Sequence, residues 1–379
     1  GYSVKVFGYD MASGKKPIYD ASNSPVKLCY HIEDGNCVPA CTRPDSSSRV
    51  GKRGYYTSPS LQSGVGNTYG SQVFVAPYVE KKVFEYTLDD DGNATITKYD
   101  GNVRALTIPD TLDGYTVVAI GSSAFAKNTY LQSVVIPDTV TVIQESAFAE
   151  CTNLSSVVLS ENLVDLGRAA FSEIALTAIE IPKSLETAHV LFDNGRDCSD
   201  GPFENCEKLK TVTFEKGTTH IAQFLFAGCT GIESIQIPQT VVMIKQGGFK
   251  NCVNLQNIIM PDVIQQVDNY AFKDCTKLDK IHIPDNIKKI SKELFQDCTA
   301  LKEIVLSDNI TSIEDEAFEN CTSLTKVTVG NKVSSIGRDV FSGCTALPQI
   351  TLPASVQTIG DKAFSHCEAL ADVKLSEGL

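Results

Sequence analysis

Eight cysteines, Cys206, Cys229, Cys252, Cys275, Cys298, Cys321, Cys344 and Cys367, stand 23 residues apart. Each follows a phenylalanine by three positions, and the phenylalanine column is the longer one. It runs Phe125, Phe148, Phe171, Phe203, Phe226, Phe249, Phe272, Phe295, Phe318, Phe341 and Phe364. Self-similarity at 20–50 residues is the signature of units that stack on copies of themselves, and it has to be settled before any local motif is read.

The copy CTKLDKIHIPDNIKKISKELFQD, residues 275–297, has apolar columns at Leu278, Ile281, Ile283, Ile287, Ile290 and Phe295. They recur as Leu324, Val327, Val329, Val333, Ile336 and Phe341. The two-residue spacing of Ile281 and Ile283 predicts a short strand with one buried face. A turn follows, because Pro109, Pro137, Pro182, Pro238, Pro261, Pro284 and Pro353 share the next slot, with Ser160, Ser307 or Gly330 elsewhere. Ile287 and Ile290 predict a second short extended or turn-like piece. The stretch before Phe295 reads as a turn or one helical turn. Six apolar side chains cannot offset the entropy of ordering 23 residues, so such coils fold only as a stack.

The string C-x-x-L-x-x-I-x-I-P…I-x-x-x-x-F, as in Cys252, Leu255, Ile258, Met260, Pro261, Val267 and Phe272, resembles the BspA-like leucine-rich repeat family. The resemblance covers residues 83–379. It implies a repeat solenoid, a right-handed leucine-rich-repeat-like coil with a short parallel strand per repeat. Residues 83–108 look like the family's capping hairpin, followed by about 11 repeats and a partial last coil ending VKLSEGL. One copy departs from the pattern: it is one residue short before Leu176, then carries the extra stretch LFDNGRDCSDG.

The cysteine column tempts a disulfide or zinc reading. Cβ vectors in a ladder run parallel at a pitch of ~4.8 Å, beyond the ~3.5–4.5 Å of a disulfide. Four thiolates in a straight column cannot converge on one zinc ion. In the same register Cys151 is preceded by Asn128 and followed by Ile174. A slot that accepts isoleucine behaves as a small apolar core position. The cysteines off the period are Cys29, Cys37, Cys41 and Cys198. For the first three, a disulfide and free thiols both stay open, and the Cys29-x-His31 spacing matches no finger or ribbon. Cys198 is eight residues from Cys206, within reach of a local pairing.

Residues 1–82 lie outside the repeat and read as a small β module or a partly ordered linker. They carry ten Lys or Arg against six Asp or Glu, whereas residues 83–379 carry 23 against 40, a net of −17. An array that acidic repels phosphate backbones, which excludes nucleic acid as a partner. No run approaches 18 apolar residues, so no membrane insertion is expected. The segment LDDDGNA, residues 88–94, imitates the start of a calcium loop, but Asp-Gly between strand-like runs is the stronger hairpin signal. Catalytic signatures are missing: there is no G-x-S-x-G, H-E-x-x-H, P-loop or dinucleotide fingerprint, and five histidines are scattered. No catalytic residue, metal ligand or cofactor is expected.

Solenoids bind through their strand faces, here expected to be concave. The outward positions Gln236, Asn257, Ile259, Lys280, His282, Glu303, Lys326 and Thr328 are the candidate binding residues, with Lys280, His282 and Glu303 as a charged cluster. The face lacks aromatics and the chain lacks tryptophan, which argues against a stacking platform for sugars or bases. The insertion contributes Asp193, Asp197 and Asp200, whose spacing fits no known calcium loop. Family resemblance implies a secreted or cell-surface binding or adhesion protein, monomeric, whose partner is a protein or other cell-surface macromolecule. The competing expectation is a structural or targeting module of a larger secreted or surface enzyme. The start, GYSVKVFGYD, does not read as a signal peptide, which fits the expectation of a mature form with its leader removed.

Overall fold

The computed structural model describes residues 83–188 and 201–375, and elsewhere only the backbone of a few short strands. The chain divides into two units, residues 1–82 and 83–379. In the first, Lys16–Tyr19 pairs antiparallel with Tyr9–Asp10 and Pro25–Val26, and His31–Glu33 with Asn36–Val38. Cys29, Cys41 and Cys198 lie outside the described residues, as does the side chain of Cys37.

The second unit is a parallel β-solenoid of about 12 turns, with no helix among the described residues. A coil supplies two short strands, as in Ser133–Val135 and then Val142–Ile143. Each pairs with its equivalent 23 residues on, Ser133 opposite Ser156 and Val142 opposite Asp165. The proline slot does what its chemistry suggests. Proline has no N–H to give, but its carbonyl closes the turn, accepting from Val140 N at Pro137 and from Ile287 N at Pro284.

The segment around phenylalanine is a turn rather than a helical turn, and its backbone alternates between two kinds of bond. Around Phe272, the N–H groups of Tyr270, Phe272 and Asp274 donate to the next coil, at Lys292, Leu294 and Gln296. Those of Lys273 and Cys275 instead donate within the coil, to Tyr270 and Phe272. The alternation requires left-handed backbone on both sides of the phenylalanine: φ is 61° at Tyr270 and 60° at Asp274, 60° at Glu316 and 57° at Asn320. Asn, Asp and Gly recur at the second of these positions because they tolerate that region best. The turn edge thus forms a third hydrogen-bonded line along the stack.

The phenylalanine rings fill the core behind this edge. From Phe125 to Phe364 they stack nearly parallel, with centroids from 4.6 Å (Phe125–Phe148) to 6.0 Å (Phe203–Phe226) apart. Tyr99 of the N-terminal hairpin begins the stack, 5.0 Å from Phe125. That hairpin pairs Phe84–Leu88 with Ala94–Tyr99 and joins Tyr115–Ile120, so it closes one end of the second sheet. The Asp89 carboxylate accepts from Asn93 N at 2.7 Å and from Asp91 N at 3.1 Å, which holds it below the usual carboxylate range. It serves the turn. Ala105–Thr107 already belongs to the first sheet, opposite Ser133–Val135.

One expected strand is missing. Residues 280–282, central to the copy used above to define the repeat, form no strand, although Ile283, Ile287 and Ile290 are buried as expected. The first sheet is therefore interrupted between Asn257–Ile259 and Glu303–Val305. At the same junction the second sheet stops between Gln266–Val267 and Lys289–Ile290. Elsewhere among the described coils one sheet lapses while the other carries on. At this junction both stop.

Candidate functional site: the strand face and its opening

The strand face is built by alternation. In Glu303–Val305 the central Ile304 is buried while Glu303 and Val305 are exposed, and the same pattern holds in Asn257–Ile259 and Lys326–Thr328. All eight residues expected on this face, from Gln236 to Thr328, are exposed. Val158, Ile259 and Val305 are more than half exposed, at 53%, 52% and 56%. β-Branched apolar residues suit a pleated strand whether or not that strand face is covered.

The expected charged cluster is arranged differently. Glu303 pairs with Lys326 one coil on, at 3.5 Å, while His282 approaches Asp262 one coil back, at 3.6 Å. Lys280 has no ion-pair partner among the described residues. Between these groups the sheet interruption leaves a recess of about 430 Å³, lined by Asn257, Ile259, Lys280, His282, Glu303 and Val305 among others. Five of the eight expected face residues line this recess, and Lys326 is joined to one of them, Glu303, while Gln236 and Thr328 lie further along.

Side chains and the turn edge hold the two coils together across this opening. Ser291 Oγ donates to Val267 O at 2.6 Å, taking the carbonyl that a backbone N–H takes in neighbouring coils, as Glu314 N does at Ile290 O. Asn286 Nδ2 donates to Asp262 O at 2.7 Å and Lys277 Nζ to Asn254 Oδ1 at 2.6 Å. On the turn side Glu293 is buried between Lys273 (2.6 Å) and Lys292 (3.1 Å). Burial pushes its carboxyl up, but the hydrogen bonds from both lysines outweigh this and hold it below the ordinary value.

The cysteine column is core, and it does more than fill space. Each thiol from Cys252 to Cys367 donates to the carbonyl of the phenylalanine one coil earlier, at 3.0–3.2 Å. Burial raises the thiols well above their usual range, to about 11 for Cys151 and about 12 for Cys229. Such thiols are poor nucleophiles and poor metal ligands. Cys206 is itself a free, buried thiol that donates to Phe171 O at 3.1 Å, and Cys198, whose local pairing with it was one possibility, lies outside the described residues. Asn128, in the same slot, donates its Nδ2 to Gly101 O at 3.0 Å, so the slot holds a small donor in these coils, with Ile174 the apolar exception.

The insertion forms a two-residue-per-strand hairpin, with Phe192–Asp193 antiparallel to Arg196–Asp197. Asp200, and the side chains of Asp193 and Asp197, lie outside the described residues. Among the described residues no group of three or more His, Cys, Asp or Glu is placed to hold a metal ion. No helix there is long and apolar enough to cross a membrane. A second recess, of about 500 Å³, opens beside Ile174 and Ala175, where the coil is one residue short.

The solenoid has counterparts. A leucine-rich repeat protein from Bacteroides ovatus matches with 24% identity over 78% of this chain and 88% of its own, at a TM-score of 0.53. A leucine-rich cell surface protein from Faecalibacterium prausnitzii is 25% identical over 78% and 94%, with a TM-score of 0.45. The pneumococcal vaccine antigen PcpA is 17% identical over 78% and 96%, with a TM-score of 0.37. No curated protein matches the chain. The BspA type leucine rich repeat region matches in six copies, over residues 118–196, 196–322 and 288–379. Those spans take in well over half of the sequence, and the chain belongs to the BspA-type leucine-rich repeat family.

Proposed function

We propose that this chain is a non-enzymatic binding protein of the cell surface or secreted fraction, a monomer that presents its strand face to a protein on a host or neighbouring cell. The observation that carries this reading is the face itself: exposed β-branched side chains at Val158, Ile259 and Val305 on a regular, rigid stack. Exposed aliphatic side chains repeated along one face suit protein contact, and the array's net negative charge disfavours nucleic acid. Family membership supports the same reading, since one structural relative is a cell surface protein.

The test is an arginine scan read on an array of purified extracellular-matrix and cell-surface proteins. Replacing Val158, Gln236 or Thr328 by arginine should weaken capture of the preferred protein at least tenfold, whereas arginine at Glu207 on the turn side should not. Equal binding by all four variants would remove the strand face as the binding surface.

A further inference from the structure

A strand inside a parallel sheet spends its backbone groups on both neighbours. Asn257–Ile259 spends them on one side only, against Ser234–Gln236. At the following junctions the corresponding groups are used: Lys302 N donates to Asp279 O at 3.2 Å, and Leu306 N to Thr328 O at 2.9 Å. Their equivalents here, Gln256 O and Met260 N, exchange no bond with residues 279–283. The coils nevertheless stay joined at the turn edge, where Phe272 N reaches Leu294 O at 3.1 Å and the Phe272 and Phe295 rings stack at 5.7 Å. The stack is open on its strand side and closed on its turn side.

We propose that this opening is a docking site for an extended peptide segment carrying a carboxylate. The unpaired edge supplies main-chain donors and acceptors, the recognition mode in which a peptide adds a strand to a sheet. A recess of about 430 Å³ falls within the usual size of a ligand cleft, ~300–1,000 Å³. Ile259 and Val305 flank it with exposed branched aliphatic surface, which suits alternate apolar side chains of the peptide. Charge fixes the rest. Glu303 lies 3.5 Å from Lys326 and Asp262 lies 3.6 Å from His282, whereas Lys280 lines the opening with no ion-pair partner among the described residues. In an array of net charge −17, an acidic peptide is repelled over most of the surface and attracted at this cation. The assignment rests on the strand-face reading above and narrows it to one junction and one ligand chemistry.

The test uses the full chain and a phage-displayed library of random octapeptides, with the enriched peptides then measured by fluorescence anisotropy. Enrichment should converge on an aspartate or glutamate between β-branched residues. Lys280→Glu should weaken these peptides at least tenfold, and a peptide with lysine in place of its acid should regain that loss on the same variant. N-methylation of the peptide's central amides should abolish binding, as should Val305→Arg. Lys280 and Val305 are exposed, so thermal unfolding should confirm that both variants fold like the parent. No enrichment, or peptides that bind parent and Lys280→Glu equally, would overturn the assignment. If Val158→Arg abolishes capture of the cell-surface protein while Lys280→Glu does not, the opening is the wrong site and the strand face stands. If neither affects capture, both readings fall.

Discussion

The Cys298 thiol donates to the carbonyl of Phe272, one coil earlier, at 3.1 Å. The same carbonyl also accepts from the backbone N–H of Cys275 at 3.2 Å. Both lone pairs of a buried oxygen are therefore used, one from its own coil and one from the next. Removing the thiol leaves a buried acceptor half-satisfied and a small void. Cys298→Ala should cost about 1–2 kcal/mol in urea unfolding, and Cys298→Val should cost at least as much despite restoring apolar volume.

Thiol ionisation gives this column a pH signature. Cys151 is raised to about 11 and Cys229 to about 12 by burial, against an ordinary value near ~8.5. A group whose folded pKa is raised binds its proton more tightly when folded. Its contribution is complete below the unfolded value and is lost as pH climbs towards the folded one. The urea midpoint should fall between about pH 8.5 and 11, and Cys151→Ala should flatten that slope. In native protein at pH 8, a thiol reagent should leave Cys229 to Cys344 unmodified until denaturant is added.

Phe272 lies inside the ring stack, 5.8 Å from Phe249 and 5.7 Å from Phe295, and is fully buried. Phe272→Ala should cost roughly 3–5 kcal/mol by urea or thermal unfolding. Phe272→Leu, which keeps much of the volume, should cost clearly less. Equal losses would mean that ring stacking contributes more than volume does.

Gly247 has a φ of 62°, and a Cβ there would come within 2.2 Å of the Phe224 ring. Gly247→Ala combines left-handed strain with a clash against a buried aromatic, so a loss of about 2–4 kcal/mol is expected in urea unfolding. The double variant Gly247→Ala with Phe224→Leu should recover the clash portion and leave the strain.

Glu293 titrates in the opposite sense to the thiols. Its folded pKa is depressed, so its contribution is present above the ordinary carboxylate value of ~4.3 and disappears as pH falls through the folded one. Glu293→Gln should lower stability by about 1–3 kcal/mol at pH 7. The two unfolding curves should converge as pH falls below the ordinary carboxylate value and through the folded one, and a constant offset throughout would show that charge is not what the site uses.

The period was legible because every apolar column recurs in register, so Phe272, Leu278 and Ile290 announce their places without reference to anything distant. The donor role of the cysteines was legible too, in Asn128, but Ile174 in the same slot points to apolar packing and masks it. The opening beside Lys280 was not readable. Its coil carries every consensus residue, and strand pairing is a relation between two copies rather than a property of either. The recess at Ile174 traces to a residue missing from one copy, a length change that sequence shows but whose effect on the surface only the fold displays.

Concealment along the cysteine column is conferred by succession. Cys344 is buried, with a complete coil following it, whereas Cys367, followed by a partial one, is only half-buried. Shortening the array coil by coil should pass that exposure to each new last cysteine in turn. Among the cysteines on the period, the reactive one would then mark the last coil of each shortened array, so that its position reports how many coils have folded.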